Sequence, residues 1–207
     1  MMRYGVVGVG YFGADLARFM NEFDDAQITM VYDPENGETI AQELQCVAAK
    51  SLEELVTSPE VDCVIVATPN YLHKEPVILA AKNKKHVFCE KPIASNASEF
   101  QQMYDTAIKN QVILLEAMRS VFSPGFAAIR SLLPVLETIR HVDFSFCKYS
   151  SRYDHFKEGI IENAFHPALS NAALMDIGVY CVHPLVSLFG MPASIQSSSI
   201  FLSNGFE

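Results

Sequence analysis

The stretch Gly8-Val9-Gly10-Tyr11-Phe12-Gly13 decides the fold of this chain. It follows the short apolar segment 4–7 and leads into a helical pattern at residues 15–20. With this glycine spacing, the first glycine allows a tight turn, the second lets the backbone approach a pyrophosphate, and the third allows close packing of helix on strand. The N–H groups at the helix start then face an anion, which the helix dipole also favours. The stretch therefore predicts that Gly8, Gly10, Tyr11, Phe12 and Gly13 bind a dinucleotide.

A second apolar segment, residues 28–32, ends in Asp33, about 20 residues beyond the last glycine. A carboxylate at this place accepts hydrogen bonds from ribose hydroxyls and repels a 2′-phosphate, and no arginine stands at 34–40 to receive one. We therefore expect NAD as the cofactor rather than NADP. The alternative is a solvated aspartate at a strand end before Pro34.

Apolar strand patterns and helical patterns alternate through the first half of the chain. The predicted strands are 4–7, 28–32, 46–49, 63–67, 86–89 and 112–115, and a helical pattern separates each pair. The segment Ser51-Leu52-Glu53-Glu54 has the form of a capping box and begins one of these helices. This alternation predicts βαβ units and an α/β domain with a doubly wound parallel sheet.

The rhythm breaks at Ser123-Pro124-Gly125, so we expect two domains, residues 1–120 and 121–207. A helix is predicted at 126–136 and a half-buried strand at 139–148, where apolar and polar residues alternate. The polar, aromatic segment 150–167 is typical of a loop. A single helix at 169–189 and a strand at 193–203 are predicted to follow.

Two strand ends carry polar groups at the edge where open α/β sheets bind their ligands. We expect Thr68, Asn70, His73, Glu90 and Lys91 to border the cofactor at this edge. A lysine at a strand end, next to a rigid proline, can hydrogen-bond a substrate hydroxyl as a fixed cation. The alternative for Lys91 is an exposed surface lysine.

The late helical pattern carries Asp176, Tyr180 and His183 on one face, because they are spaced four and three residues apart. A carboxylate in so apolar a helix is costly unless it is paired or used. These residues are therefore candidates for catalysis. The alternative is a buried aspartate bonded to backbone, with an ordinary tyrosine and histidine beside it.

The composition is typical of a globular protein without a nucleic-acid or membrane partner. The 207 residues carry a formal net charge of -9, with lysines and arginines scattered along the chain. The five cysteines lie far apart and form no C-x-x-C, so we expect neither a disulfide framework nor a metal site. Met1-Met2-Arg3 leads directly into the first strand, and no apolar run spans a bilayer, so we expect a cytoplasmic protein.

Four motifs, in this order, resemble those of the Gfo/Idh/MocA family of NAD(P)-dependent oxidoreductases. They are Gly8-Val9-Gly10-Tyr11-Phe12-Gly13, Ala67-Thr68-Pro69-Asn70 with His73, Glu90-Lys91-Pro92, and Asp176-Ile177-Gly178-Val179-Tyr180. The resemblance implies a Rossmann domain, then an α/β domain with an open, mostly antiparallel sheet. It implies oxidation or reduction of a carbinol on a small-molecule sugar, polyol or diol. It also implies that Lys91 is catalytic and that Asp176 belongs to the site.

The residue four positions after Asp176 indicates which branches of the family the chain resembles. Many sugar dehydrogenases of the family have a histidine there, whereas this chain has Tyr180. It is similar in this respect to the dihydrodiol dehydrogenase and glucose-fructose oxidoreductase branches, whose proton donor is a tyrosine. A phenol has a pKa of about 10, so it needs a cation such as Lys91 to exchange protons near neutral pH. We therefore predict Lys91, Asp176 and Tyr180 as catalytic residues, with His183 as the alternative acid.

The end of the chain suggests an incomplete second domain. Proteins that the chain resembles continue with several more strands, whereas here the predicted strand at 193–203 is followed by Asn204-Gly205-Phe206-Glu207. Asn-Gly normally introduces a hairpin partner. We therefore expect a C-terminally truncated domain with an unpaired sheet edge. Because such edges recruit other chains, we also expect a homo-oligomer that assembles through this sheet.

Two other functions stay open at this point. One is a non-catalytic protein that senses NAD and regulates another process, although Lys91, Asp176 and Tyr180 favour an enzyme. The other is an NAD-dependent glycoside hydrolase, which similar family branches also include. Sugar-cleavage assays with and without NAD would distinguish the hydrolase from a dehydrogenase.

Overall fold

The computed structural model describes residues 1–202 and residue 205. The chain divides into two compact units, Met1–Ala117 and Met118–Glu207. The first unit contains all the strands among the described residues, and the second contains helices and irregular segments. The predicted turn at Asn204-Gly205-Phe206-Glu207 lies outside the described residues, except for Gly205.

Six strands of the first unit form one parallel sheet in the order β3-β2-β1-β4-β5-β6. The strands are β1 (Met2–Val7), β2 (Ala26–Tyr32), β3 (Val47–Ala48), β4 (Cys63–Val66), β5 (His86–Cys89) and β6 (Leu114–Glu116). The helices of this unit are α1 (Tyr11–Met20), α2 (Gly37–Leu44), α3 (Leu52–Thr57), α4 (Lys74–Lys82) and α5 (Ala97–Asn110). The predicted α/β fold with a parallel Rossmann-type sheet is confirmed.

Helices cover both faces of the sheet. Because successive strand residues point to opposite faces, the side chains on both faces are buried. Val6, Val31 and Ile65 pack on one side in a cluster that includes α1 and α2 residues. Their neighbours Val7, Met30, Val64 and Val66 pack on the other side in a cluster with residues of α3, α4 and α5. Continuous apolar runs such as Cys63–Val66 are therefore strands between two helical layers.

Side-chain caps fix the starts of two helices in this unit. The Ser51 hydroxyl accepts a hydrogen bond from the Glu54 amide at 3.1 Å, and the Glu54 carboxylate accepts one from the Lys50 amide at 2.7 Å. At α5, Asn96 accepts from the Glu99 amide at 3.0 Å. The predicted capping box is present, although its glutamate reaches Lys50 rather than the Ser51 amide.

The second unit differs from the prediction, because none of its described residues forms a β-strand. Its helices are α6 (Pro124–Leu132), α7 (Tyr153–Lys157) and α8 (Val179–Phe189). The strand predicted at 139–148 is irregular, and so are the described residues of the one predicted at 193–203. A strand is stable only beside a partner that pairs with its backbone, and the described chain gives these segments none. The predicted antiparallel sheet is therefore not seen here.

Two further predictions for this unit are wrong in detail. The segment 150–167 contains α7 and a short 3-10 turn at Asn163–Phe165, so it is not a simple loop. The helix predicted from residue 169 begins only at Leu174–Gly178, which is a π-helical turn, and continues as α8. Positive φ angles at Ser170 (58°) and Ala172 (95°) are incompatible with a right-handed helix and delay its start. None of the helices in the described part of the chain is long and apolar enough to cross a membrane.

Leu55 is expected to be a major contributor to the core of the first unit, because it is fully buried and belongs to the α3-side cluster. Leu55→Ala should lower the free energy of unfolding by about 2–5 kcal/mol, the usual cost of a large cavity. Leu115→Ala is the matched control, because Leu115 is 45% exposed on an edge strand. Its cost should be about 1 kcal/mol or less. Urea denaturation followed by circular dichroism measures both, and equal losses would contradict this description of the core.

Candidate functional site

The carboxyl ends of five strands lie in one row across the sheet. Tyr32, Val7, Val66, Cys89 and Glu116 are successive cross-strand partners. In four of these strands, the amide of the residue that follows the strand donates to a carbonyl of the neighbouring strand: Gly8 to Tyr32 O (2.9 Å), Ala67 to Val7 O (2.8 Å), Glu90 to Val66 O (2.9 Å) and Ala117 to Cys89 O (2.8 Å). The segments predicted from sequence to border the cofactor in this unit therefore start at one edge of the sheet.

The glycine-rich loop lies at the centre of this row, between β1 and α1. Gly8 has a φ of +86°, and a Cβ there would lie 2.7 Å from the Thr68 nitrogen. A Cβ on Gly13 would overlap the carbonyl oxygen of Gly8. A Cβ on Gly10 would meet nothing within 4 Å. Gly8 and Gly13 are thus required by the protein's own packing, while Gly10 leaves open space above the backbone.

The start of α1 is suited to an anion. Gly10 is the N-cap and has no side chain to bond the first turn, and the first intrahelical bond runs from Ala14 N to Gly10 O at 2.9 Å. The amides of Tyr11, Phe12 and Gly13 precede that bond, and the first turn contains no acidic residue. The first-turn amides, the positive end of the helix dipole and an open glycine fit a pyrophosphate.

Asp33 lies next to this loop and is bonded to it. Its Oδ2 accepts a hydrogen bond from the Val9 amide at 2.9 Å, and its Oδ1 accepts from the Glu35 and Asn36 amides, both at 2.9 Å. Each carboxylate oxygen has two acceptor sites, so Asp33 can hold the loop and still accept a ribose hydroxyl. Asp33 is half-buried and bonded to backbone amides, and its binding of a ribose hydroxyl stays a prediction.

Three predicted residues follow strand β4 at the same edge. The Thr68 hydroxyl is buried and has no hydrogen-bond partner among the residues that the structure describes. Asn70 opens a short 3-10 turn, Asn70–Leu72, and His73 follows it. A buried hydroxyl without a partner fits a ligand that supplies one.

The His73 side chain is fully buried, and its ring bridges two loops. Its Nε2 lies 2.9 Å from Thr68 O and its Nδ1 lies 3.0 Å from Pro92 O. Burial lowers the pKa of the imidazole, and the backbone carbonyls oppose this shift without reversing it. Both ring nitrogens of His73 contact backbone carbonyls inside the protein. His73 therefore connects the loop after β4 to the loop after β5 at this edge of the sheet.

Glu90 and Lys91 follow strand β5, and the Lys91-Pro92 peptide bond is cis. Lys91 is half-buried rather than fully exposed, and its amide donates to the Glu90 carboxylate at 3.2 Å. Burial raises the pKa of the Glu90 carboxyl, and the negative charge of Glu116 raises this pKa further. The hydrogen bond from the Lys91 amide and the positive charge of Lys91 oppose the rise. A half-buried carboxylate and a half-buried lysine thus follow the end of one strand.

The remaining predicted residues lie in the second unit. Asp176 is part of the π-helical turn Leu174–Gly178, and its amide donates to Ala172 O at 2.9 Å. Tyr180 lies in the first turn of α8 and stacks on Phe146, with ring centroids 5.3 Å apart. Asp176, Tyr180 and His183 are all half-buried. π-helical turns are often found at functional sites, and this one was not predicted from the sequence.

Sequence reasoning missed one residue of the edge, Glu116. It is the last residue of β6, and its Oε1 accepts a hydrogen bond from the Ile93 amide at 2.9 Å. The signal was available, because Glu116 is a carboxylate that directly follows an apolar strand pattern, as Asp33 does.

Comparison with known proteins agrees with this arrangement. A family profile described as the Gfo/Idh/MocA oxidoreductase family with an NAD-binding Rossmann fold matches residues 2–118. The chain belongs to this family. Its first unit, with the glycine loop and Asp33, is the part that the family profile covers.

Relatives within the family have different activities. The chain is 40% identical over its whole length to scyllo-inositol 2-dehydrogenase (NADP(+)) IolU of Bacillus subtilis (strain 168), and it spans 64% of that protein. It is 60% identical over 133 residues, 64% of its own length and 36% of the relative, to 2,7-anhydro-N-acetylneuraminate hydratase of Escherichia coli (strain K12). A crystal structure of a probable dehydrogenase from Thermotoga maritima matches with a TM-score of 0.60 and 32% identity, over 65% of this chain and 41% of that one.

The glycine loop of this family member offers a matched pair of variants. Gly13→Ala should disrupt the loop, because the new methyl group would overlap the Gly8 carbonyl. Gly10→Ala should leave the free protein folded, because its methyl group has open space. It should weaken nucleotide binding by about tenfold or more, because the methyl group would occupy the space that the pyrophosphate needs. Thermal unfolding and fluorescence titration with NADH separate the two effects. Unchanged binding in Gly10→Ala would show that the nucleotide lies elsewhere.

Proposed function

We propose that the chain is part of an oxidoreductase that transfers a hydride between a nicotinamide cofactor and a carbinol or carbonyl carbon of a sugar, polyol or trans-dihydrodiol-like substrate. The observation that carries this proposal is the row of strand ends. It brings the glycine loop, Asp33, Thr68 and the Glu90-Lys91 segment to one edge of the sheet. In open α/β sheets this edge, at the point where the strand order reverses, is where dinucleotides bind.

In this reaction each predicted residue has a separate task. The bound nicotinamide supplies the acceptor or donor for the hydride. Lys91 and Tyr180 exchange the proton of the substrate hydroxyl, and Asp176 orients them. The Tyr180 phenol needs a cation to act near neutral pH, since its ordinary pKa is about 10. Met118–Glu207 then forms the substrate part, with the domain boundary near residue 120.

For the cofactor we propose NAD rather than NADP. A cavity of about 460 Å³ next to the carboxylate of Asp33 is lined by two further acidic residues, Glu35 and Glu38, and by one lysine, Lys50. With three carboxylates and one ammonium group, these side chains have a net negative charge, which disfavours binding of a 2′-phosphate. The inositol dehydrogenase relative is named for NADP(+), so the choice must be measured on this chain.

NADH should bind more tightly than NADPH, on the order of tenfold. Asp33→Ser with Pro34→Arg should shift the preference toward NADPH, because it replaces a repelling carboxylate and adds a cation. Gln102→Arg with Asp105→Ser is the control, because it makes the same change of charge on exposed positions of α5. Fluorescence titration of the three proteins gives three ratios of the NADH and NADPH dissociation constants. Equal affinities of the unmodified chain for NADH and NADPH would refute the cofactor assignment.

A second candidate function is hydration of an anhydro sugar without net oxidation. The 60% identity to the hydratase favours it, while the match to the inositol dehydrogenase spans the whole chain. Incubation with NAD and inositols, polyols or diols should produce NADH if the dehydrogenase proposal is right. Product formation from an anhydro sugar without net NADH would favour the hydratase. Binding of NAD with neither reaction would favour the sensor.

Tyr180→Phe should lower turnover by about 10²- to 10⁴-fold while leaving NADH affinity unchanged, because it removes the ionisable hydroxyl group and little volume. If Tyr180 and Lys91 act as one unit, adding Lys91→Met should cost little more. Tyr104→Phe is the control, since Tyr104 lies exposed on α5. Steady-state kinetics measure five proteins, namely the unmodified chain, Tyr180→Phe, Lys91→Met, the double variant and Tyr104→Phe. Full activity in Tyr180→Phe would assign the acid to His183, and additive losses would give Tyr180 and Lys91 separate roles.

A further inference from the structure

The peptide group between Pro92 and Ile93 is held at both of its ends. Its N–H, from Ile93, donates to Glu116 Oε1 at 2.9 Å. Its carbonyl oxygen, from Pro92, lies 3.0 Å from His73 Nδ1. A peptide group is planar and rigid, so two bonds at opposite ends fix its orientation. This group begins one residue after Lys91.

One of the two groups that hold this peptide lies in the sheet, and the other lies at the start of a helix. Glu116 is the last residue of β6 and is the cross-strand partner of Cys89, which ends β5. His73 is fully buried, directly precedes α4, and reaches Thr68 O with its other ring nitrogen. The Lys91 segment is thus held between the strand on one side of β5 and the loop that follows the strand on its other side.

Further contacts leave the segment little freedom. The Lys91 amide donates to Glu90 at 3.2 Å, and the Cys89 thiol lies 3.8 Å from Ile93 O. Both neighbours of Lys91 in the chain are attached to the scaffold, because the Glu90 amide donates to Val66 O at 2.9 Å and Pro92 O lies 3.0 Å from His73 Nδ1. The charge of Glu116 disfavours the Glu90 carboxylate, and a neutral amide at position 116 would accept the same hydrogen bond without that cost.

We propose that Glu116 and His73 act together as positioning residues for Lys91, by holding opposite ends of the Pro92–Ile93 peptide. Neither needs to touch substrate or cofactor. This role rests on the proposed function, because it matters for turnover only if Lys91 exchanges the substrate proton. The hydrogen bond of Glu116, not its charge, is the part that positions Lys91.

The test compares Glu116→Leu, which removes the acceptor, with Glu116→Gln, which keeps an acceptor and removes the charge. The direct readout is the ¹⁵N order parameter of the Lys91 and Ile93 amides in the full chain. It should fall from about 0.85 to below about 0.6 in Glu116→Leu and stay near its original value in Glu116→Gln. Glu99→Leu is the control, because it removes a similar carboxylate-to-amide bond, to Ser95 at 3.3 Å, from the start of α5.

The second readout is steady-state kinetics with the polyol that the substrate screen identifies. Glu116→Leu should lower kcat about 10- to 100-fold, the usual effect of a small misplacement, with KM and NADH affinity within about twofold of the original. Glu116→Gln should keep kcat near that of the original chain. His73→Leu, which removes the contact with Pro92 O, should lower kcat as Glu116→Leu does.

The two readouts separate the two proposals. Unchanged order parameters in Glu116→Leu, or equal losses in Glu116→Leu and Glu116→Gln, would overturn the positioning role. Order parameters that change as expected, in a chain without turnover on any polyol, would support the positioning role and count against the proposed function.

Discussion

The contact of Gly13 with the carbonyl of Gly8 is the constraint on which the first unit depends. It brings the start of α1 against the end of β1, where only a hydrogen side chain fits. Because β1 is central in the sheet, this contact also sets where the amides of Tyr11 and Phe12 lie relative to Asp33 and Thr68. The same position that serves packing therefore also shapes the corner where we propose that the pyrophosphate binds.

Asp33 shows how this corner keeps its shape. Its carboxylate bonds the Val9 amide inside the loop and two amides of the turn that follows β2. These bonds join the first two strand ends, and the row of interstrand amides continues the connection to Glu90. A loop held in this way is preorganised, so nucleotide binding need not supply the free energy to order it.

The first unit was predictable from sequence because its signals are local. Glycine spacing, capping residues such as Ser51 and Asn96, and short apolar runs each predict one element, and parallel pairing then follows from alternation. His73 was expected beside the cofactor, but its burial depends on two loops that meet only in the folded chain. In the second unit, alternation at 139–148 indicated a strand, yet a strand needs a partner that sequence periodicity cannot supply. The π-helical turn at Asp176 has no local sequence signal.

The central claim is that the nucleotide binds at the carboxyl edge of the parallel sheet, and amide chemical-shift mapping of the full chain with NAD tests it most directly. The largest shifts should occur at Val9 to Gly13, Asp33, Thr68, Asn70 and Lys91. Amides at the opposite edge, such as those of Arg3, Gln27 and His86, should show small shifts, since these residues lie at or near the amino ends of their strands. Saturable shifts confined to that opposite edge, or none at the glycine loop, would contradict the account.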